Sequence, residues 1–398
     1  MRGTEDDAKM LRSLDPVSRR NIVILERHMR VAVVHYWLVG MRGGEKVLEA
    51  ILDLFPEADI FTHVYVPDAV SPTIRKHKVT TSFIQKLPFA ATAYPKYLPL
   101  MPLALEQLDL RGYDLVISSE SGPAKGVLTG TDTVHICYCH TPMRYLWDCY
   151  QHYLEKAGTV SRLALRLFSP YLRMWDALTA QRVDFFAANS HNAVRRIAKH
   201  YRRTAEIIYP PVDVRAFAPK KGDYPAPEGY YLYVGRLVAY KRADLAIQSC
   251  NQLARKLIII GDGPEHKALK SIAGPTVTFL GKQDEASLCR HMQRCNALLF
   301  PGEEDFGIIP VEALAAGRPV IAFGAGGALE TIQHGKTGLL FSEQTSSALC
   351  AAIEEFENGR HVFEPDRLTL EAERFSRNKF QDSFKRFLEE CLNKKNQA

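Results

Sequence analysis

No stretch of the sequence reaches the roughly 18–20 uninterrupted apolar residues that a spanning helix needs, which argues against a helical membrane segment. The first 28 residues lack the apolar core of a secretory signal. No two cysteines are spaced C-x-x-C; the eight (Cys137, Cys139, Cys149, Cys250, Cys289, Cys295, Cys350, Cys391) are spread thinly. Their scatter excludes a disulfide scaffold and fits free, mostly buried thiols in the reducing cytoplasm. Charge of one sign is also scarce. A net +6 is too small and too scattered for nucleic acid, and no basic-aromatic module accompanies it. The mild excess suits a partner carrying phosphate, whether a nucleotide sugar, a lipid phosphate or an anionic membrane. Cys137-Tyr138-Cys139-His140 could suggest a metal site, but no second ligand pair stands nearby, so core thiols beside one functional histidine are expected and no metal.

At 398 residues the chain fits two domains of ordinary size. From Val31 short apolar runs alternate with amphipathic segments, the signature of βαβ units and parallel sheets. The first half offers strands at Val31–Tyr36, Asp59–Val64, Leu115–Ser118, Val134–Tyr138 and Phe185–Ala188, with helices at Glu45–Leu54, Leu163–Arg182 and Ala193–Tyr201. The second half offers six: Tyr230–Val234, Lys256–Ile260, Val277–Leu280, Ala297–Pro301, Val320–Phe323 and Leu339–Phe341. Tyr209-Pro210-Pro211 ends regular structure and predicts a hinge. The expected organisation is an α/β protein of two Rossmann-like domains, 29–208 and 209–375, their parallel sheets facing each other across a cleft. Residues 1–28 are expected to be a disordered extension, or an artefact of start-codon choice with Met29 the real start. Residues 376–398 are expected to form a helix with Phe380, Phe384 and Phe387 on one face.

The most informative segment runs from Glu304 to Gly317, after a buried strand. Gly307 relaxes the backbone before a helix, Pro310 suits its first turn and Gly317 its C-terminal cap. The free N–H groups of such a helix can receive a diphosphate. Glu304 in the loop and Glu312 in the helix can hold hydroxyls at two ends of one ligand, although a solvated acidic loop before an ordinary helix would read the same. Gly235-Arg236-Leu237 with Lys241 follows the strand Tyr230–Val234. Departure of a nucleoside diphosphate builds negative charge that Arg236 and Lys241 could stabilise; solvated surface charge is the plainer alternative. Gly261-Asp262-Gly263-Pro264 and Gly324-Ala325-Gly326-Gly327 both fail G-x-G-x-x-G, which weakens a dinucleotide oxidoreductase.

In the first half, the loop Gly40-Met41-Arg42-Gly43-Gly44-Glu45-Lys46 joins the first strand to the first helix and could admit a phosphate or sugar, or simply connect the two. His140 ends a strand, whereas His135 lies within one and is expected to be structural. Two segments could face a membrane: Phe83–Leu105, apolar with Lys86 and Lys96, and Arg162–Arg173, which interleaves arginines with leucines. A packed loop and a core helix are the commoner explanations.

Glu304 and Glu312 resemble the E-x7-E motif of glycosyltransferase family 4, whose members are retaining enzymes of the GT-B fold. Gly235-Arg236-Leu237 with Lys241, Gly261-Asp262-Gly263-Pro264, Phe279-Leu280-Gly281 and Gly335-Lys336-Thr337-Gly338-Leu339-Leu340 follow in that family's order, and the likeness runs from about Met29 to the end. The resemblance implies that Glu304 contacts the donor sugar, Glu312 holds the ribose, and Arg236 and Lys241 bind the diphosphate. It also places Leu280 and Gly281 beside the base, and Gly43, Gly44, Gly261, Phe306, Gly307 and Ile308 against the donor. His140 would orient the reacting sugar, and the final helix would cross back onto the first domain. The first-half loops resemble a subgroup of bacterial O-antigen mannosyltransferases, implying GDP-mannose as donor and a polysaccharide or lipid-linked oligosaccharide as acceptor. No D-x-D occurs, so no metal and no cofactor beyond the donor are expected. Location on the cytoplasmic face of the inner membrane would suit a lipid-linked acceptor. A UDP-sugar transferase, a nucleotide-sugar epimerase and a non-catalytic sensor are the alternatives.

Overall fold

The computed structural model describes residues 29–220 and 222–397; the expectation for residues 1–28 lies outside them. The described chain forms two compact units. One runs to Ala188 and takes in Ala193–Ile208 and the residues from Gln381 on; the other holds Asn189–Asn192 and Tyr209–Phe380.

The first unit is built on seven parallel strands: β1 (Val31–His35), β2 (Asp59–Thr62), β3 (Val79–Thr81), β4 (Leu115–Glu120), β5 (Val134–Cys139), β6 (Phe185–Ala188) and β7 (Glu206–Ile207). Their order is β3-β2-β1-β4-β5-β6-β7. Strands β1, β4 and β5 are buried along their whole length, as strands of a parallel sheet covered on both faces are. Helix α1 (Gly43–Leu52) buries Val47, Leu48, Ala50, Ile51 and Leu52, one apolar face at helical spacing. Its start is fixed by Glu45, whose Oε2 accepts the Arg42 N–H at 2.9 Å.

Helix α2 (Thr159–Thr179) starts four residues before the expected Leu163 and passes into a 3-10 turn at Ala180–Arg182. It buries Leu172, Trp175, Asp176 and Thr179. The opposite face leaves Val160, Leu163, Leu167, Tyr171, Met174 and Leu178 exposed. Helix α3 (His191–Tyr201) follows β6. The Phe83–Leu105 segment forms short helical turns, with Ile84, Ala90, Met101 and Ala104 buried and Phe89, Leu100 and Leu103 exposed.

The second unit holds six parallel strands: β8 (Tyr230–Val234), β9 (Lys256–Ile260), β10 (Val277–Gly281), β11 (Leu298–Phe300), β12 (Val320–Phe323) and β13 (Gly338–Phe341). The order is β10-β9-β8-β11-β12-β13. Alternate side chains feed two cores, one on each face. Leu232, Leu298 and Val320 pack with Leu314 on one side; Tyr231, Tyr233, Leu299 and Ile321 pack with Ile247 and Leu349 on the other. Helices α4 (Ala243–Gln252) and α5 (Ile308–Ala315) follow β8 and β11. The last helix, α6 (Arg377–Gln397), enters the first unit from Gln381, where Gln381 Nε2 donates to Ala50 O at 3.2 Å and Lys395 Nζ reaches Asp184 Oδ1 at 3.2 Å.

Candidate active site

In open parallel sheets, ligands bind beyond the carboxyl ends of the strands where the strand order reverses. In the second unit that point lies between β8 and β11. The loops leaving these two strands carry the residues that the sequence singled out. Lys241 ends a short 3-10 turn, and its Nζ meets Glu304 Oε1 at 2.7 Å, with 16% and 22% of the two side chains exposed. Burial alone would lower the Lys241 pKa; the Glu304 carboxylate outweighs it and the net direction is upward, so the ammonium stays charged. The pair thus presents a fixed cation and a fixed acceptor at a partly open strand end. Arg236, in the same loop, is exposed.

Gly307 (φ 84°) leads into α5, which opens without a side-chain cap. Its N-cap glycine offers no side-chain acceptor, and the helix dipole favours an anion there. Ile308 is the first residue of this helix, and half-buried Glu312 lies just beyond its first turn.

Other residues that the sequence singled out have a structural setting of their own. The Phe306 side chain is buried and packs against Tyr209 and Phe375, with ring centroids 5.7 and 5.4 Å away, so only its backbone is left to meet a ligand. Gly261 is required by packing: at φ 138° a Cβ would stand 1.9 Å from Gly235 O, so the glycine lets two loops touch. Leu280 and Gly281 end β10, two strands away from the reversal point.

In the first unit the order reverses between β1 and β4. Gly43 opens α1, and a Cβ on Gly44 would meet the Tyr36 hydroxyl at 2.4 Å, so this glycine makes room for a side chain of its own chain. His140 follows β5, half-buried, with Nε2 3.0 Å from Ser119 Oγ. Burial, reinforced by His35, lowers its pKa to about 3, which keeps the ring neutral. His135 is fully buried, bonded to Ser118 Oγ at 3.0 Å, and is structural. Cys137 and Cys139 are buried in β5, and burial pushes the Cys139 thiol well up, so it stays protonated.

A buried ion cluster lies beneath this strand end, and sequence reasoning missed it. Lys125 Nζ pairs with Glu120 Oε1 at 2.8 Å and with Asp176, all three side chains being fully buried. Trp147 Nε1 donates to Asp176 Oδ2 at 2.7 Å, and the Tyr201 hydroxyl donates to Asp176 at 3.0 Å. The members are dispersed along the chain, and only a lysine just after a strand that ends in glutamate hinted at it. Among the described residues one metal-like trio occurs in the second unit, His334, Glu355 and His361. The Leu340 N–H occupies His334 Nδ1 at 3.0 Å, which leaves the ring proton on Nε2 and no spare lone pair for an ion.

Comparison with known proteins agrees with this architecture. The chain matches the model of Glycosyltransferase Family 4 over residues 41–216 and that of Glycosyl transferases group 1 over residues 214–379. It is 26% identical to a GDP-mannose-dependent alpha-mannosyltransferase of Mycolicibacterium smegmatis, covering 82% of this chain and 88% of the relative. It is 29% identical to the human alpha-1,3/1,6-mannosyltransferase ALG2 over 38% of this chain. The chain spans under half the length of that human protein (43%) and of a D-inositol 3-phosphate glycosyltransferase of Mycobacterium avium (46%). HepE of Anabaena, solved with UDP and glucose, shares the fold at a TM-score of 0.65 and 18% identity, over 91% of this chain and 99% of its own. With two Rossmann-like units of the GT-B kind and two family models spanning nearly the whole described chain, the protein belongs to glycosyltransferase family 4.

Proposed function

We propose that the protein is a retaining hexosyltransferase that moves mannose from GDP-mannose onto a hydroxyl of a polysaccharide or lipid-linked oligosaccharide. The observation that carries this reading is the Lys241–Glu304 pair at the reversal point of the second sheet. Breaking the bond to a nucleoside diphosphate builds negative charge on the leaving phosphate. A lysine already charged in a partly buried setting stabilises that charge with little reorganisation. Arg236 adds a second cation, and the start of α5 adds backbone N–H groups. Glu304 accepts hydrogen bonds from sugar hydroxyls once Lys241 turns to phosphate, and Glu312 takes the ribose. Donor binding is assigned to the second unit and acceptor binding to the first, where His140 orients a substrate hydroxyl. Mannose is favoured by the relative that names GDP-mannose and matches over most of both chains. No metal is needed in this scheme, so activity should survive chelator.

The test is a thermal-shift titration against GDP, UDP and their sugars. A ligand that binds only the folded state raises the midpoint. GDP and GDP-mannose should stabilise the protein, and Lys241→Ala should abolish the shift. Stabilisation by UDP sugars alone would discard mannose; no shift with any nucleotide would discard the donor site.

The acceptor reading includes peripheral contact with an anionic membrane through α2. Val160, Leu163, Leu167, Met174 and Leu178 are 84, 68, 67, 59 and 63% exposed along one stripe. Apart from buried Asp176, the helix's charged residues are all arginines: Arg162, Arg166 and Arg173. An apolar stripe with cations alone beside it fits a helix lying in the interface of an anionic bilayer. Among the described residues no helix is long and apolar enough to cross a membrane. Co-sedimentation with phosphatidylglycerol vesicles should be lost with neutral vesicles and in Leu163→Glu/Leu167→Glu; equal recovery in all three would remove this contact.

A further inference from the structure

Two buried groups in the first unit, Ser119 and His35, link His140 to the Glu45 carboxylate. Ser119 Oγ, near the end of β4, stands 3.0 Å from His140 Nε2 and 3.2 Å from His35 Nδ1. A hydroxyl has one proton and two lone pairs, so it can donate to only one of the two rings. The far side of His35 decides which. His35 Nε2 is fully buried, makes no hydrogen bond, and faces Glu45 Oε1 at 3.8 Å.

A lone pair on Nε2 would face carboxylate lone pairs across a dry contact, whereas an N–H there is attracted to them. The carboxylate is held in place, because Glu45 is buried and its other oxygen accepts the Arg42 N–H at 2.9 Å. A neutral His35 therefore carries its proton on Nε2 and accepts at Nδ1. Ser119 donates to His35, and its oxygen takes the proton of His140 Nε2. What remains on His140 is the lone pair of Nδ1. The neighbouring Tyr36 hydroxyl is kept protonated by burial and by the Glu45 charge.

We propose that Glu45, His35 and Ser119 are positioning residues that fix His140 as a neutral hydrogen-bond acceptor at Nδ1, directed at a substrate hydroxyl in place of a phosphate. The opposite polarity would make Nδ1 a donor, suited to phosphate oxygens. The substrate half of this proposal rests on the transferase reading; the tautomer half does not. Both are tested on the full chain. With 15N-histidine, long-range 1H–15N correlation should show His35 and His140 as Nε2–H tautomers, assigned by His140→Asn and His35→Asn. Ser119→Ala and, separately, Glu45→Gln should shift His140 towards a tautomer mixture. Wild-type His140 protonated at Nδ1, or a His140 signal unmoved by both substitutions, would overturn the proposal. With GDP-mannose or whichever nucleotide sugar turns over, Ser119→Ala should lower kcat about tenfold with donor KM changed less than about twofold, and Ser119→Thr should restore most of it. An unchanged kcat in Ser119→Ala would refute the positioning role even with the tautomers as expected. If no nucleotide sugar turns over, the transferase reading and the substrate half that rests on it both fail, while the spectra still decide the chain of protons.

Discussion

Lys125→Met is the substitution whose cost the structure defines best. The ammonium is fully buried, 2.8 Å from Glu120 and in contact with Asp176. Burial works against its charge, but the two carboxylates outweigh burial and hold its pKa above the ordinary lysine value. Methionine keeps much of the volume and removes the cation, leaving two buried carboxylates with only neutral donors. Breaking a buried pair in this way costs about 3–5 kcal/mol. With a urea slope of about 2–3 kcal/mol per molar, the midpoint should fall by about 1–2 M. The assay can be confined to the affected unit, because Trp37, Trp147 and Trp175 are the only tryptophans and all belong to it. The pH dependence has a definite sign. Burial already raises the Glu120 pKa, and loss of the cation raises it further. A group whose folded pKa exceeds its unfolded value contributes stability at low pH and loses it as pH rises through the folded pKa. The damage done by Lys125→Met should therefore be smaller near pH 5 than near pH 8, and Glu120→Gln added to it should recover a good part of the loss. A midpoint drop under about 0.3 M near pH 7 would refute the reasoning, as would an equal loss at both pH values.

Gly261→Ala should weaken nucleotide binding and destabilise the second unit by about 2 kcal/mol or more, since its Cβ would overlap Gly235 O and the backbone is left-handed; circular dichroism and nucleotide thermal shift report the two effects. Phe384→Ala, which empties a fully buried site in α6, should cost about 3–5 kcal/mol and lower the tryptophan-detected midpoint. Only Cys149 and Cys289 are not buried, so a thiol reagent should label at most these two in the native protein and all eight in denaturant; fast labelling of a third native thiol would contradict the packing.

Much of the fold is legible because fully buried parallel strands leave unbroken apolar runs, as at Tyr230–Val234; there and at Lys256–Ile260 the expected and observed bounds coincide. Strands β3 and β7 left no such trace. They are three and two residues long, half-buried or exposed, and their composition records no burial. At the proposed donor site, spacing pointed to Lys241 and Glu304, which the fold brings into direct contact. Side-chain direction was another matter. Phe306 sits inside the motif yet faces the core, and Gly44 and Gly261 serve neighbouring atoms of the same chain. A glycine pattern tells that something comes close, not what. The Ser119–His35–Glu45 chain was hidden for a different reason: its members come from two strands and a helix start, and only strand register puts His35 beside Ser119.

The path of α6 bears on how the protein is made. The second unit is almost one continuous segment, Tyr209–Phe380, with four residues borrowed from earlier in the chain. The first unit needs residues from Gln381 on, including Phe384, Phe387, Leu388 and Cys391, all buried. During synthesis its sheet emerges from the ribosome first, yet the side chains that complete its packing emerge last, after the whole of the other unit. Until then a nascent chain carries a half-covered apolar surface, and a stalled or prematurely stopped product would keep that surface for good, inviting aggregation or chaperone capture.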